Sequence, residues 1–232
     1  HILKMLKKVT SQFKNEYHLI GIGVSTAGIV GKNGEIAYAG PTILDYTGTP
    51  IKAELEKDFN LPTNVVNDVD AALLGEKLAE NAKGYTSIYC VALGTGIGGA
   101  YYEAGKMFSG VHGTANNIGW TLYDVKTKTN FEQRASTLSL QAKLAPLGID
   151  PIEGFKRAKT GSSQEKKIIE DWSLEVAEGL SNILLLFDPE VLIIGGAVSK
   201  QGDYLKELLE KQLKKILPPN LCKTKIKMAS LG

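Results

Sequence analysis

The apolar positions of the chain fall into short runs of two periods. Ile2, Leu3, Leu6, Val9 and Phe13 share one helical face and predict a helix over residues 1–16. The run from His18 to Ser25 is apolar and ends in small residues, which predicts a buried strand. Residues 28–39, with Lys32-Asn33-Gly34 at their centre, read as a hairpin. Thr49-Pro50 starts a helix reaching about Phe59, with Pro50 at the first helical position. A strand follows over 62–67, and Asp68 opens a helix running to about Asn81. Farther on, 87–93 reads as a strand, 94–99 as a glycine turn and 100–103 as a strand again. Helices are expected at 131–145, 151–159, 164–187 and 200–216. The third has the strongest stripe: Ile168, Ile169, Trp172, Val176, Leu180, Ile183, Leu184 and Phe187. Ser162 and Glu165 suit a capping box at its start and Asp188-Pro189 a stop at its end. Val191 to Ile194 is a short buried strand ending at Gly195-Gly196. Alternating strands and helices give an α/β class, read as two lobes around a cleft that divide at 82/83.

Composition narrows the partners. A net charge of +2 over 232 residues is too small to argue for nucleic acid or an anionic membrane. The lysines of 4–14 and 206–215 alternate with apolar residues at helical spacing, as solvated helix faces do. Cys90 and Cys222 are the only cysteines, with no Cys-x-x-Cys spacing, and Cys90 lies in an apolar run, so a reduced thiol is expected. No apolar run approaches the ~20 residues of a membrane span, and no leader pattern is visible. A cytoplasmic protein is expected. The first residue is His1 rather than Met and the last residues stop just after a strand-like run, so both ends read as cut.

Three segments could carry chemistry. Leu93-Gly94-Thr95-Gly96-Ile97-Gly98-Gly99 fits Gly-x-Gly-x-x-Gly loosely, but a dinucleotide turn must open a helix, and Ala100-Tyr101-Tyr102-Glu103 favours a strand. No Gly-Lys-Ser/Thr follows. What remains is a hairpin whose tip exposes backbone N–H groups; it either holds phosphate oxygens or is a plain glycine-rich turn. Asp68 is either an N-cap or a base for a substrate hydroxyl at a strand end; phosphoryl transfer, with its loose transition state, tolerates a weak base. Gly195-Gly196 is either a tight strand-to-helix turn or a seat for an adenine ring. His112 lies alone in a glycine-containing stretch, and no Ser/His/Asp set or metal-ligand spacing is present.

Taken in order, Gly21 to Gly28, Ala39-Gly40-Pro41-Thr42, Asn67 to Glu76, Leu93 to Gly99 and Ile194-Gly195-Gly196 resemble the ROK family of repressors, uncharacterised reading frames and sugar kinases. The resemblance covers nearly the whole chain. It implies an actin/hexokinase-like (ribonuclease H-like) two-lobed ATPase fold, with residues 1–82 as the rest of the small lobe and 83–232 as the large one. It implies ATP and Mg²⁺, a sugar substrate and a homodimer. Asp68 becomes the catalytic base. Asn67, Gly40, Asn117, Trp120 and Glu132 become sugar-binding residues; Gly94, Thr95, Gly96 and Gly98 hold phosphates; and Gly195 and Gly196 contact adenosine.

The departures matter as well. The family's Glu-x-Gly-His appears as Asn117-Ile118-Gly119-Trp120, and Trp120 either stacks on a sugar or is an ordinary core or loop anchor. The zinc cysteines expected between Trp120 and Glu132 are absent, so no structural zinc is expected. The phrases Tyr38 to Thr42 and Phe131 to Thr137 look most like the zinc-free N-acetylmannosamine kinases of Gram-positive bacteria. Glucokinase, fructokinase and β-glucoside kinase activities, or a sugar-responsive regulator, are the alternatives. A sugar-binding module that has lost catalysis is a third reading. The family's first phosphate motif, Asp-Ile-Gly-Gly-Thr, is not in the chain, so the chain reads as part of a longer protein and as a poor kinase alone.

Overall fold

A computed structural model describes residues 2–40 and 43–231; Pro41 and Thr42 of the resemblance lie outside the described residues. The chain forms two compact units, His1–Ala71 with Ser109–Ala115, and Ala72–Phe108 with Asn116–Gly232. Where the sequence reading divides the lobes at 82/83, these units divide within a helix.

In the first unit, helix α1 (Ile2–Glu16) is followed by strand β1 (Ile22–Thr26), the hairpin β2 (Ile29–Val30) and β3 (Ile36–Tyr38), helix α2 (Ile51–Phe59) and strand β4 (Thr63–Asn67). β1 lies parallel to β4, Ile22 opposite Thr63 and Thr26 opposite Asn67. Val24, Ile36, Tyr46, Ile51, Leu55 and Phe59 form the core, with Ile2 and Leu6 of α1 packed against it. Pro50 caps α2 from outside, rather than occupying its first turn as expected. Lys7 of α1 pairs with Glu54 at 2.6 Å and Asp58 at 2.8 Å of α2.

Helix α3 (Asp68–Leu78) begins in the first unit and ends in the second. It is shorter than expected. Near its end the carboxylate of Glu76, 2% exposed, accepts from Asn81 Nδ2 at 2.6 Å, Ser230 N at 2.7 Å, Ser230 Oγ at 2.9 Å and Leu231 N at 2.9 Å.

The second unit is built on a five-stranded sheet in the order β7-β6-β5-β8-β9. β5 (Ser87–Leu93), β8 (Val191–Gly195) and β9 (Lys225–Met228) run parallel; β6 (Ile97–Glu103) returns antiparallel beside β5, and β7 (Lys106–Met107) beside β6. β8 is buried along its whole length, as a central parallel strand must be. Helices α4 (Phe131–Ala135), α5 (Thr137–Leu144), α6 (Pro151–Lys159), α7 (Ser163–Phe187) and α8 (Asp203–Ile216) supply the rest of the core. Trp172 of the α7 stripe is fully buried and donates its indole N–H to Ala135 O at 2.9 Å.

The helix expected over 131–145 is broken at Ser136, which takes an extended conformation and caps α5 by accepting from Ser139 N. Tertiary bonds hold the break: Thr137 donates its N–H (2.9 Å) and its hydroxyl to Gly94 O. Ser162 does not close a capping box. Its hydroxyl donates to the Glu165 carboxylate, which also pairs with Arg157, so the hydroxyl makes no cap bond to a helix amide. The helix expected from 200 is a 3-10 turn over Ala197–Gln201 followed by α8. Asp188 ends α7 in a left-handed conformation, and Phe131 seats its ring against the bare backbone of Gly179 in the middle of that helix.

Candidate functional site

The candidate residues fall into one group in each unit. In the first unit, Asn67 ends β4 and Asp68 opens α3. Asn67 is fixed at both ends of its amide: Nδ2 donates to Gly28 O at 2.8 Å, and Oδ1 accepts from Val69 N at 2.9 Å. The Val69 amide also reaches Asp68 Oδ1 at 3.0 Å. Asn67 therefore satisfies an orphan amide of the helix start, the task the sequence reading assigned to Asp68 as one alternative. Asp68 is exposed, and its second oxygen has no hydrogen-bond partner among the described residues. Gly40 lies two residues beyond β3, its carbonyl accepting from Ile43 N at 3.2 Å; no hydrogen bond among the described residues joins it to Asn67 or Asp68.

Asp70 is a residue that sequence reasoning passed over. It sits half-buried one position past Val69. Burial and the neighbouring Asp68 carboxylate push its pKa from 3.8 up to about 6. The spacing Asp-x-Asp at a helix start is the sequence signal that could have marked it.

In the second unit the glycine segment is a hairpin, as expected, but the turn is tighter. Gly94 to Gly96 form it, with Gly94 N donating to Gly96 O at 2.9 Å. Gly98 and Gly99 belong to β6, opposite Ala92 and Val91. The amides of Thr95 and Gly96 have no partner among the described residues, and Thr95 is exposed at the tip. Such a tip can donate to anionic oxygens.

Gly195-Gly196 meets this turn. Gly195 pairs with Ala92 across the parallel strands β5 and β8, and Gly196, with φ of +88°, lies so close to Leu93 O that any Cβ would collide with it. Only glycine fits both the left-handed backbone and the approach. The two glycine segments thus meet at the carboxyl ends of adjacent parallel strands, where ligands bind in open α/β sheets.

Glu132 reaches the same turn, and Asn117 and Trp120 flank a glycine that backs onto it. Glu132 Oε2 accepts from Ile97 N at 2.7 Å, and a Cβ on Gly96 would stand 2.6 Å from that oxygen. Asn117 precedes a 3-10 turn over Ile118–Trp120 whose Gly119 backs directly onto Ile97 O. Gly119 is a second member that sequence reasoning left unassigned. Trp120 is 66% exposed, so it does not anchor the core. Glu132 itself is set by α4, which Asn130 starts with a full capping box to Gln133.

No group of three or more His, Cys, Asp or Glu side chains able to hold a metal occurs among the described residues, and none of their helices is long and apolar enough to cross a membrane.

The chain is 35% identical over 235 residues to an uncharacterized protein of Clostridium perfringens, covering 99% of this chain and 80% of that one. It is 29% identical over 229 residues to a glucokinase of Streptomyces coelicolor, covering 87% and 72%. Xylose repressors of Caldicellulosiruptor are also among its relatives. The fold superposes with a TM-score of 0.84 and 25% identity on a Listeria monocytogenes protein proposed to be an N-acetylmannosamine kinase, over 98% of this chain and 80% of that one. The fold class is accordingly the α/β, actin/hexokinase-like one that the sequence implied. The family model described as ROK matches residues 1–232, and the chain belongs to the ROK family.

Proposed function

We propose that the protein is an ATP-dependent sugar kinase, transferring the γ-phosphoryl group to a hydroxymethyl oxygen of an aldohexose or N-acetylhexosamine. The observation that carries this reading is the meeting of the Gly94–Gly96 turn and Gly195-Gly196 at the carboxyl ends of β5 and β8. In this reading the Thr95 and Gly96 amides donate to phosphate oxygens, and the bare backbone at 195–196 faces the adenosine. Gly98 supports the turn from within β6. In the first unit Asp68 offers its unengaged oxygen to the sugar hydroxyl, and Asn67 and Gly40 are sugar-binding candidates; in the second, Asn117, Trp120 and Glu132 are sugar-binding candidates. Mg²⁺ arrives with ATP and neutralises charge on the transferring group; pre-arranged donors and the metal supply most of the rate in such transfers.

N-acetylmannosamine is the first sugar to test, because the phrases Tyr38 to Thr42 and Phe131 to Thr137 resemble those of zinc-free kinases for that sugar and the fold resembles that of the Listeria protein. Asn117, in place of an acid, favours trying glucose, mannose, fructose and a phosphorylated β-glucoside beside it. The reading includes a cytoplasmic homodimer, checked by light scattering. A coupled assay of the full-length protein should give sugar-dependent ADP release with at least one of these sugars. Asp68→Asn should lower kcat by about a hundredfold or more and leave sugar binding intact. Near-normal turnover in that variant removes Asp68 from the chemistry, and no ADP release with any sugar removes the kinase reading. That second result would favour the regulator reading, for which the xylose repressors among the relatives are the supporting observation.

A further inference from the structure

Residues 121–130 leave the Ile118–Trp120 turn and return to α4, so Trp120 stands at one mouth of this loop and Glu132 just past the other. The mouths are joined by Phe131 N donating to Thr121 O at 2.9 Å. Inside the loop, Asp124 N donates to Thr129 O at 2.8 Å, and the Asp124 carboxylate accepts from Lys126 N at 2.7 Å. These bonds shape the loop but do not attach it to the rest of the unit.

Leu122 packs against the core of the unit at one end of the loop and Asn130 is buried at the other, and one further side chain ties the two arms together. Arg134, on α4 and with only 16% of its side chain exposed, donates Nη2 to Leu122 O at 2.9 Å and Nη1 to Thr129 O at 3.0 Å. Its Nε donates to Glu175 Oε2 on α7 at 3.1 Å. A planar guanidinium presents these donors in fixed directions, which a lysine cannot do. The fork therefore holds both arms of the loop to each other and to the longest helix of the unit.

Resting on the kinase reading, we infer that Arg134 is a positioning residue for the sugar. It touches neither substrate nor phosphate; it fixes the loop whose two ends carry Trp120 and Glu132. Between Leu122 and Asn130 the loop has exposed members, Tyr123, Val125, Lys126 and Lys128, and little buried area of its own to hold the two arms together.

The test compares Arg134→Met, Arg134→Lys and Glu175→Gln with the unaltered full-length protein. Steady-state kinetics are read with the accepted sugar, and limited trypsin cleavage is read at Lys126 and Lys128. Both Arg134 variants should raise the sugar KM by about tenfold, leave the ATP KM unchanged, and speed cleavage within the loop. Glu175→Gln keeps the two carbonyl contacts, so its sugar KM should stay near the original. An unchanged sugar KM in both Arg134 variants overturns the inference, whether or not the loop is cut faster. Equal rises in sugar and ATP KM, or a rise as large in Glu175→Gln, also overturn it, since general loosening then explains the effect. If the unaltered protein turns over no sugar, the kinase reading fails first and the positioning role with it.

Discussion

Asp70 shares the first turn of α3 with Asp68, and the two carboxylates differ in surroundings. Asp68 is exposed; Asp70 is half-buried, and its carboxyl has no hydrogen-bond partner among the described residues. With burial first and the Asp68 charge second raising its pKa to about 6, Asp70 folds more readily as the neutral acid. Its folded pKa exceeds the unfolded value of 3.8. The stability it contributes is therefore complete below about pH 4 and is lost as pH rises through about 6. Asp70→Asn, neutral at every pH, should raise the melting temperature at pH 7, by the equivalent of about 2 kcal/mol, and give no gain at pH 4. Thermal melts of both proteins across that range check the sign. Glu76 behaves oppositely. Burial alone would raise its pKa, but its four hydrogen bonds outweigh burial and hold it below 4.5. Its contribution is present at neutral pH and lost as pH falls below that value. Glu76→Gln replaces one of the two accepting oxygens with an NH2 donor, which then faces donors such as Asn81 Nδ2, and should cost about 2 kcal/mol or more in denaturant unfolding at pH 7.

At the scale of elements, Gly196→Ala tests the join between β8 and the glycine turn. The new Cβ meets Leu93 O on a left-handed backbone, so the end of β5 must shift. ATP binding measured by calorimetry should weaken about tenfold or more, and stability should fall by about 2 kcal/mol. The elements themselves were largely legible in the sequence, because β5, α6 and α7 carry their own periodicity and punctuation. The break at Ser136 was not, since Thr137 is held by a carbonyl more than forty residues away. Nor was the extent of the glycine turn: Gly98 and Gly99 have poor strand preference and are kept in β6 by their ladder partners. The order of the motifs singled out most of the residues that gather in the second unit. That Glu132, Gly119 and Gly196 meet one turn is a fact of tertiary packing that no spacing expresses.

For the molecule as a whole, the two units differ in how much apolar surface they close. The first unit has a core of Val24, Ile36, Tyr46, Ile51, Leu55 and Phe59 under a two-stranded pair; the second surrounds fully buried β8 with the Trp172 and Phe155 layer. Local opening should follow that difference. Native-state hydrogen exchange should find the slowest amides in β5 and β8 and faster ones in β1 and β4, and equal protection in both would contradict it. The seat of Phe131 on Gly179 carries this contrast into ancestry. Ring and methyl compete for one volume, so a descendant that gains alanine at 179 must shrink residue 131 in the same lineage or displace the neighbouring acid. The two positions are expected to drift as a pair, and swapping either alone should be the change that selection removes.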